Sequence, residues 1–402
     1  MSQNTVRPFR VIGEKVLKRL SFTVCLLVLC GHSLAAVGSH GGAKDIAGHG
    51  SWSETREDQS RDFVLAKERG AVPLAELSGE AGSGPPATGE DPRTTYSAIG
   101  YVASQPASGF LGSLLELLYS VDPNYKHNSL EADTIMNFVV GDEVIDGSRI
   151  AALPEARIGT ATRQRVEMTP LLRDRCNLRS TREGPVKPYV ITVLDTQHAT
   201  NELITKCMTF PFMLRRGVDE ANLADLSLRE MVAGLFFEPG YDAPQDVGVY
   251  RTDFPNDAPF STGGELMDEA AFVFHFALTT LLEFADPSFT KDYSSVNDSV
   301  LYAIGDNAII DGRINPATIR GVTPGLLKTM QEKELDPNGC NMHVLRTDTE
   351  QTLYWTVADT SFISESEAQY CVLAPFLAKK YGTPVEIGST PLKRALWELF
   401  RE

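Results

Sequence analysis

Four aspartates occupy positions from which a carboxylate could do chemistry. Asp195 and Asp359 each end a run rich in β-forming residues, and Asp142 and Asp306 each follow a glycine. A carboxylate at a strand end can act as a general acid or base, and a pair of carboxylates can cleave a glycosidic bond. The same residues also form turns and helix caps, which is the interpretation we favour. We retain Asp142, Asp195, Asp306 and Asp359 as weak binding candidates.

Cysteine offers the second kind of chemistry. Two cysteines, Cys25 and Cys30, lie in an N-terminal leader, and the other four are Cys176, Cys207, Cys340 and Cys371. Four cysteines in an exported chain indicate two disulfides, for which three pairings exist. We predict Cys176–Cys207 and Cys340–Cys371, because each pair then closes within one copy of an internal repeat. A redox site would favour a Cys-x-x-Cys spacing, which the sequence lacks.

The sequence carries no catalytic, metal or cofactor motif that we can identify. It has no Gly-x-Ser-x-Gly, no phosphate-binding loop and no dinucleotide-binding glycine pattern. His127, His198, His275 and His343 are far apart, which disfavours a zinc site. Asp311 follows Asp306 at a spacing that could serve Ca²⁺, but the 12-residue loop with its terminal glutamate is missing. We therefore assign no catalytic residue, no metal and no cofactor.

The elements that position these residues occur twice. Residues 96–238 align without a gap on 260–402, with 29 identities in 143 positions at an offset of 164. The matches include both cysteine pairs, the Asp-Pro of Asp122 and Asp286, and the Asp-Thr that begins at Asp195 and Asp359. A duplication of this size predicts two globular domains in tandem rather than a solenoid.

The sequence pattern of each copy predicts helices, then strands and a final helix. Apolar residues from Phe110 to Val121 predict a helix that Asp122-Pro123 ends, and we place a second helix over 129–140 and its counterpart over 294–304. In each copy, two β-rich runs that follow the first cysteine predict a hairpin. The segment around Cys207 or Cys371 fits either a strand or a helix, and an amphipathic helix closes each copy. The expected fold is α+β, with helices packed on a small antiparallel sheet and one disulfide per copy.

Two smaller features complete this interpretation. Thr323-Pro324 opens a helix in the second copy, and we match it to Thr169-Pro170 in the first, ten positions out of register. Asp146-Gly147 and Asp311-Gly312 predict turns.

The N-terminus has the pattern of a secretory signal peptide. Five basic residues precede a short apolar run, and small residues follow it, so we expect export and cleavage after Ala35. An uncleaved anchor is the alternative, although the run is short for a bilayer. We interpret 1–35 as the signal, 36–95 as a flexible spacer rich in Gly, Ser, Pro and acids, and 239–259 as a linker.

The net charge of the chain limits the classes of partner that it is expected to bind. The chain carries 37 Lys and Arg against 53 Asp and Glu, a net charge of −16, which argues against nucleic-acid binding. After the signal, no stretch is long and apolar enough to span a membrane. We therefore expect a periplasmic or extracellular binding protein of a bacterial cell envelope, with a protein or glycan partner. A secreted hydrolase that uses Asp or Glu pairs, possibly on polysaccharide, and a secreted effector or inhibitor are the alternatives.

Overall fold

A computed structural model describes residues 94–151, 153, 158–181, 189–218, 225–238, 258–292, 296–318, 324–346, 351–381 and 391–401. The predicted signal peptide and nearly all of the predicted spacer and linker lie outside these residues. The described residues form a first unit within 94–238 and a second unit within 258–401.

Six strands and four α-helices lie in the described part of the first unit. In chain order they are β1 (Tyr96–Val102), α1 (Gln105–Val121), β2 (Thr134–Gly141), β3 (Ile145–Asp146), β4 (Arg149–Ile150), α2 (Thr160–Val166), β5 (Asn177–Thr181), β6 (Tyr189–Asp195), α3 (Asn201–Arg215) and α4 (Leu228–Phe236).

The second unit follows the same element order. Its elements are β7 (Phe260–Leu266), α5 (Glu269–Ala285), β8 (Asp298–Gly305), β9 (Ile309–Ile310), β10 (Arg313–Ile314), α6 (Pro324–Gln331), β11 (Asn341–Arg346), β12 (Thr352–Asp359), α7 (Glu365–Tyr381) and α8 (Leu392–Phe400). Short 3₁₀ turns lie at Thr196–His198 and Pro316–Thr318.

Each unit has a four-stranded mixed sheet, which corrects the expected antiparallel one. The strand orders are β1-β2-β6-β5 and β7-β8-β12-β11. The first three strands of each order are parallel, and only the edge strands β5 and β11 run antiparallel. The predicted hairpins, β5-β6 and β11-β12, are confirmed. The prediction missed the parallel strands because they pair through helical crossovers, which leave no turn signal between them.

The helices predicted over 129–140 and 294–304 are wrong, since these segments form the central strands β2 and β8. All eight residues of β2 are buried. One sheet face packs under α1 and α3, and the other packs under the small hairpin β3-β4 and α2. A strand covered on both faces has a continuous apolar run, which periodicity cannot distinguish from a buried helix.

Several other predictions are confirmed, and the choice between strand and helix for the second cysteine of each unit is decided. Helix α1 ends at Val121, directly before Asp122. The segments of Cys207 and Cys371 are helical, in α3 and α7. A capping box begins α7: the Ser364 N–H donates to the Glu367 carboxylate, and the Glu367 N–H donates to the Ser364 hydroxyl. The predicted turns close β3-β4 and β9-β10.

The counterpart assigned to α6 in the first unit is wrong. Thr169-Pro170 begins no helix, and α2 at Thr160–Val166 occupies the place that α6 has in the second unit. The two units are therefore not shifted by ten positions in this region. The sequence of α2 lacks the Thr-Pro start signal, which is why the prediction moved to the next such dipeptide.

The two units pack against each other through equivalent helices. Helix α1 contacts α5, and α4 contacts α8. The Phe236 and Phe400 rings, which hold the same place in the two units, stack with centroids 6.4 Å apart. Phe110 meets Phe284 edge to face at 5.4 Å. One apolar cluster contains residues of both units, so the joint is a continuation of the core.

Three ion pairs cross this joint among the described residues. One joins Lys393 to Glu238 at 3.0 Å, and the other two are reciprocal. Arg229 of α4 lies 3.1 Å from Asp286 of the second unit, and Lys393 of α8 lies 3.2 Å from Asp122 of the first. Arg229 and Lys393 hold equivalent places, as do Asp122 and Asp286. This exchange of partners is the pattern of a two-fold, self-complementary interface.

Asp122 is the most deeply buried carboxylate of these pairs. Its side chain is 1% exposed and also accepts hydrogen bonds from the Tyr96 hydroxyl at 3.1 Å and the Asn124 backbone N–H at 3.0 Å. Burial alone would raise the pKa of Asp122, but Lys393 and these donors outweigh it and lower the pKa.

The Lys393→Met substitution should destabilise the protein by about 3 kcal/mol at neutral pH, because it leaves the buried Asp122 with only Arg216, which is 3.8 Å away. The substitution also removes the ion pair of Lys393 with the partly exposed Glu238. A carboxyl whose folded-state pKa is lowered contributes stability above its unfolded pKa and loses it as the pH falls. The difference between Lys393→Met and the wild type should therefore shrink from pH 7 to about pH 3.

Urea unfolding at the two pH values measures this difference. Lys328→Met, which changes an exposed lysine on α6, is the control and should have little effect. A Lys393→Met effect that is equally large at both pH values would contradict the assignment to the Asp122 ion pair.

Candidate functional site

The four candidate aspartates come together as two pairs. In each unit, one pair lies at the carboxyl ends of the parallel strands of the sheet. Thr196, directly after Asp195, donates its hydroxyl to Asp142 at 2.6 Å. Thr360, directly after Asp359, donates to Asp306 at 2.9 Å. The turns after β2 and β8 are thereby tied to the ends of β6 and β12. The carboxyl ends of parallel strands are a frequent place for ligand sites in α/β proteins.

In these pairs the buried carboxylates are engaged by the backbone. Asp359 is fully buried and accepts the N–H groups of Asn307, Ile309 and Ser361 at 3.1 to 3.2 Å. Asp195 is 1% exposed and accepts the N–H of Gln197 at 3.2 Å, which starts a 3₁₀ turn. Both aspartates hold turns in place.

Asp142 and Asp306 lie at the surface in these turns, and each precedes a residue in the left-handed region, Glu143 or Asn307. Within the described ranges, no three His, Cys, Asp or Glu side chains are close enough to hold a metal ion.

The cysteine pairs differ between the units. Cys176 and Cys207 form a disulfide with Cα atoms 5.5 Å apart, as predicted. Cys340 and Cys371 are thiols that lie near each other, Cys340 exposed and Cys371 buried. Burial, followed by the contact with Cys340, raises the pKa of Cys371 well above its usual range. The second disulfide stays a prediction.

Lys380 is a lysine with an unusual environment near the end of α7. Burial, together with Arg229 and Arg401, lowers the pKa of Lys380 to about 7. Its Nζ donates to the Glu398 carbonyl at 2.6 Å and to the Arg401 carbonyl. Arg216 has the equivalent place in the first unit and donates to the Phe237 carbonyl. Lys380 thus caps the C-terminal end of α8.

A groove of about 540 Å³ opens where the two units meet. Its walls are the end of α1 with the loop that follows it and the first turns of α7. The lining residues are Tyr119, Ser120, Asp122, Pro123, Tyr125, Lys126, Glu365, Ser366 and Gln369. A cavity of this size is within the range that holds small ligands. The groove exists only because the units pack together.

Two tyrosines, Tyr119 and Tyr125, line the first-unit wall of this groove, and the His127 ring behind them contacts both. Tyr119 is 55% exposed, and its ring centroid lies 4.0 Å from that of His127. His127 in turn meets Tyr125 edge to face at 5.4 Å. Partial burial lowers the pKa of His127, which favours the neutral imidazole. Tyr125 is buried against Tyr96, so the row of rings is anchored in the core.

The groove residues were missed by the sequence analysis. No motif marks them, and they come from segments some 240 residues apart, so only the packing of the units brings them together. The sequence carried one signal: at the offset of 164 residues, Tyr119 and His127 align with Glu283 and Lys291 of the second unit. Such a change of chemistry at two matched positions distinguishes the copies.

Comparisons with protein families, with curated proteins and with solved structures find no match to this chain. Among the helices of the described ranges, none has the length and apolarity that crossing a bilayer requires.

The Asp359→Ala substitution should lower stability by more than about 3 kcal/mol, because it leaves buried backbone N–H groups without an acceptor, at about 1–3 kcal/mol each. Asp306→Ala removes one exposed partner in the same turn and should cost less than about 1 kcal/mol. Denaturant titration of both variants compares them. Equal effects, or a stable Asp359→Ala variant, would contradict the structural role of Asp359.

Cys340 and Cys371 should be oxidised in protein purified from an oxidising compartment. The thiols are neighbours, and the equivalent pair in the first unit is bridged over the same separation of 31 residues. Alkylation of unfolded, unreduced protein followed by peptide mass spectrometry measures this, with Cys176 and Cys207 as the internal reference. Alkylation of Cys340 and Cys371 alone would contradict the prediction.

Proposed function

We propose that this chain is an exported binding protein of a bacterial cell envelope and that its ligand binds in the groove between the two units. The observation that carries the proposal is the groove itself. It combines exposed aromatic surface with hydroxyl, amide and charged groups, and it draws on both units. A concave site with a few convergent polar groups is the usual form of a ligand site.

The duplication and the export are parts of the same proposal. The 29 identities at one offset, together with the shared element order and strand order, support a tandem duplication. The Cys176–Cys207 disulfide supports folding in an oxidising compartment, which agrees with the signal-like N-terminus. We infer a periplasmic or extracellular location for the folded units.

The strand-end aspartates have a different role in this proposal. In a hydrolase that used Asp359, the carboxylate oxygens of this residue would have to face the substrate. Instead, these oxygens accept hydrogen bonds from three backbone N–H groups. The proposal therefore assigns Asp195 and Asp359 to the fold and assigns binding to the groove.

Site-specific photo-crosslinking in the native envelope tests this proposal. A benzophenone side chain at the exposed Ser366, which lines the groove, should give a discrete adduct with the bound partner or glycan. The same group at the exposed Lys328 on α6, which covers the opposite face of the second sheet, is the control and should give none. Adducts of equal yield at both positions, or at neither, would contradict a binding role for the groove.

A further inference from the structure

We propose that the groove binds a neutral oligosaccharide and that the Tyr119 ring is the surface on which one sugar stacks. This inference rests on the proposed binding function and names the class of its ligand.

The Tyr119 ring is held in place while much of its surface faces solvent. It lies in the last turn of α1, and His127 packs against it with ring planes 37° apart. Since His127 also contacts the buried Tyr125, the exposed ring is fixed before any ligand arrives. A pre-positioned aromatic surface binds at a low cost in conformational entropy. The C–H face of a sugar ring is apolar and flat enough to stack on such a surface.

The equivalent place in the second unit shows that the fold does not need these rings. There Glu283 and Lys291 form an ion pair at the end of α5, where the first unit has Tyr119 and His127. Both side chains of that ion pair are about half exposed, as surface ion pairs usually are. The same backbone thus carries a solvated ion pair in one unit and an exposed ring pair in the other. The ring pair is the one that adjoins the groove, so we infer that it contacts a ligand.

The polar groups beside the rings fit hydroxyl groups better than charged ones. Ser366 offers an exposed hydroxyl, and the Ser120 hydroxyl, which donates to the Glu116 carbonyl, can still accept a hydrogen bond. One Glu365 oxygen accepts from the Gln369 amide, and the other can accept from a sugar hydroxyl. Lys393 already neutralises Asp122. Glu365 and Lys126 carry opposite charges in the lining, so the groove has no net charge that would favour an acidic sugar. The net charge of −16 on the chain disfavours one. The class that fits is therefore an uncharged oligosaccharide.

Calorimetric titration of the whole exported chain with defined sugars tests the inference. The probes are cellohexaose, maltohexaose and chitohexaose, with an oligogalacturonate as the acidic comparison. We expect saturable binding of at least one neutral hexasaccharide and weaker or no binding of the oligogalacturonate. Binding of the acidic chain alone, or of none of the four, would overturn the inference.

Variants assign the binding to the groove. Tyr119→Ala should weaken binding of the neutral hexasaccharide about three- to tenfold, which is the range expected for one aromatic contact. Phe276→Ala removes a ring on α5 that is equally exposed, at 55%, and should leave binding unchanged. The double variant Tyr119→Glu with His127→Lys installs the ion pair of the second unit, so it should fold normally and bind no better than Tyr119→Ala.

The outcomes separate this inference from the proposed function. Equal binding by the wild type and Tyr119→Ala would overturn the sugar-stacking role. A protein adduct at position 366 together with no hexasaccharide binding would leave the proposed function standing and overturn the oligosaccharide inference. The absence of both would overturn both.

Discussion

The reciprocal packing of the two units is the constraint on which the rest of the structure depends. Helices α1 and α5 meet, α4 and α8 meet, and Phe236 stacks on Phe400. The ion pairs of Lys393 with Asp122 and of Arg229 with Asp286 cross the joint in opposite directions. Because a buried carboxylate without its cation is costly, these pairs favour one relative placement of the units. The apolar cluster stabilises the contact between the units, and the ion pairs fix their relative orientation.

This placement creates a surface that neither unit has alone. The end of α1 and the start of α7 belong to different units, and the groove lies between them. The two units keep the same strand order, and they differ where Tyr119 and His127 replace an ion pair. Two units of the same strand order have equivalent edges at their joint, and one edge can carry a different surface while the core stays the same. The oligosaccharide inference follows from this difference.

Much of the secondary structure could be predicted from the sequence, and the sheet topology could not. Helix α1, the hairpins and the last helix of each unit have clear periodicity or turn signals. Strands β2 and β8 were mistaken for helices because they are covered on both faces, so their apolar residues do not alternate. Asp359 was rightly seen as a strand-end residue, but its three backbone donors depend on a turn some 50 residues away. The groove depends on contacts between units, which no local pattern encodes.

The central claim is that the two units fold as one body with a fixed groove at their joint. Native-state hydrogen exchange of the whole chain, measured as a function of denaturant, tests it most directly. The buried central strands β2 and β8 lie in different units. If the joint is part of one core, their amides should exchange through the same global opening, with equal free energies and equal denaturant dependence. Exchange of one strand at a clearly lower free energy, with the other still protected, would show that the units open independently and would contradict the account.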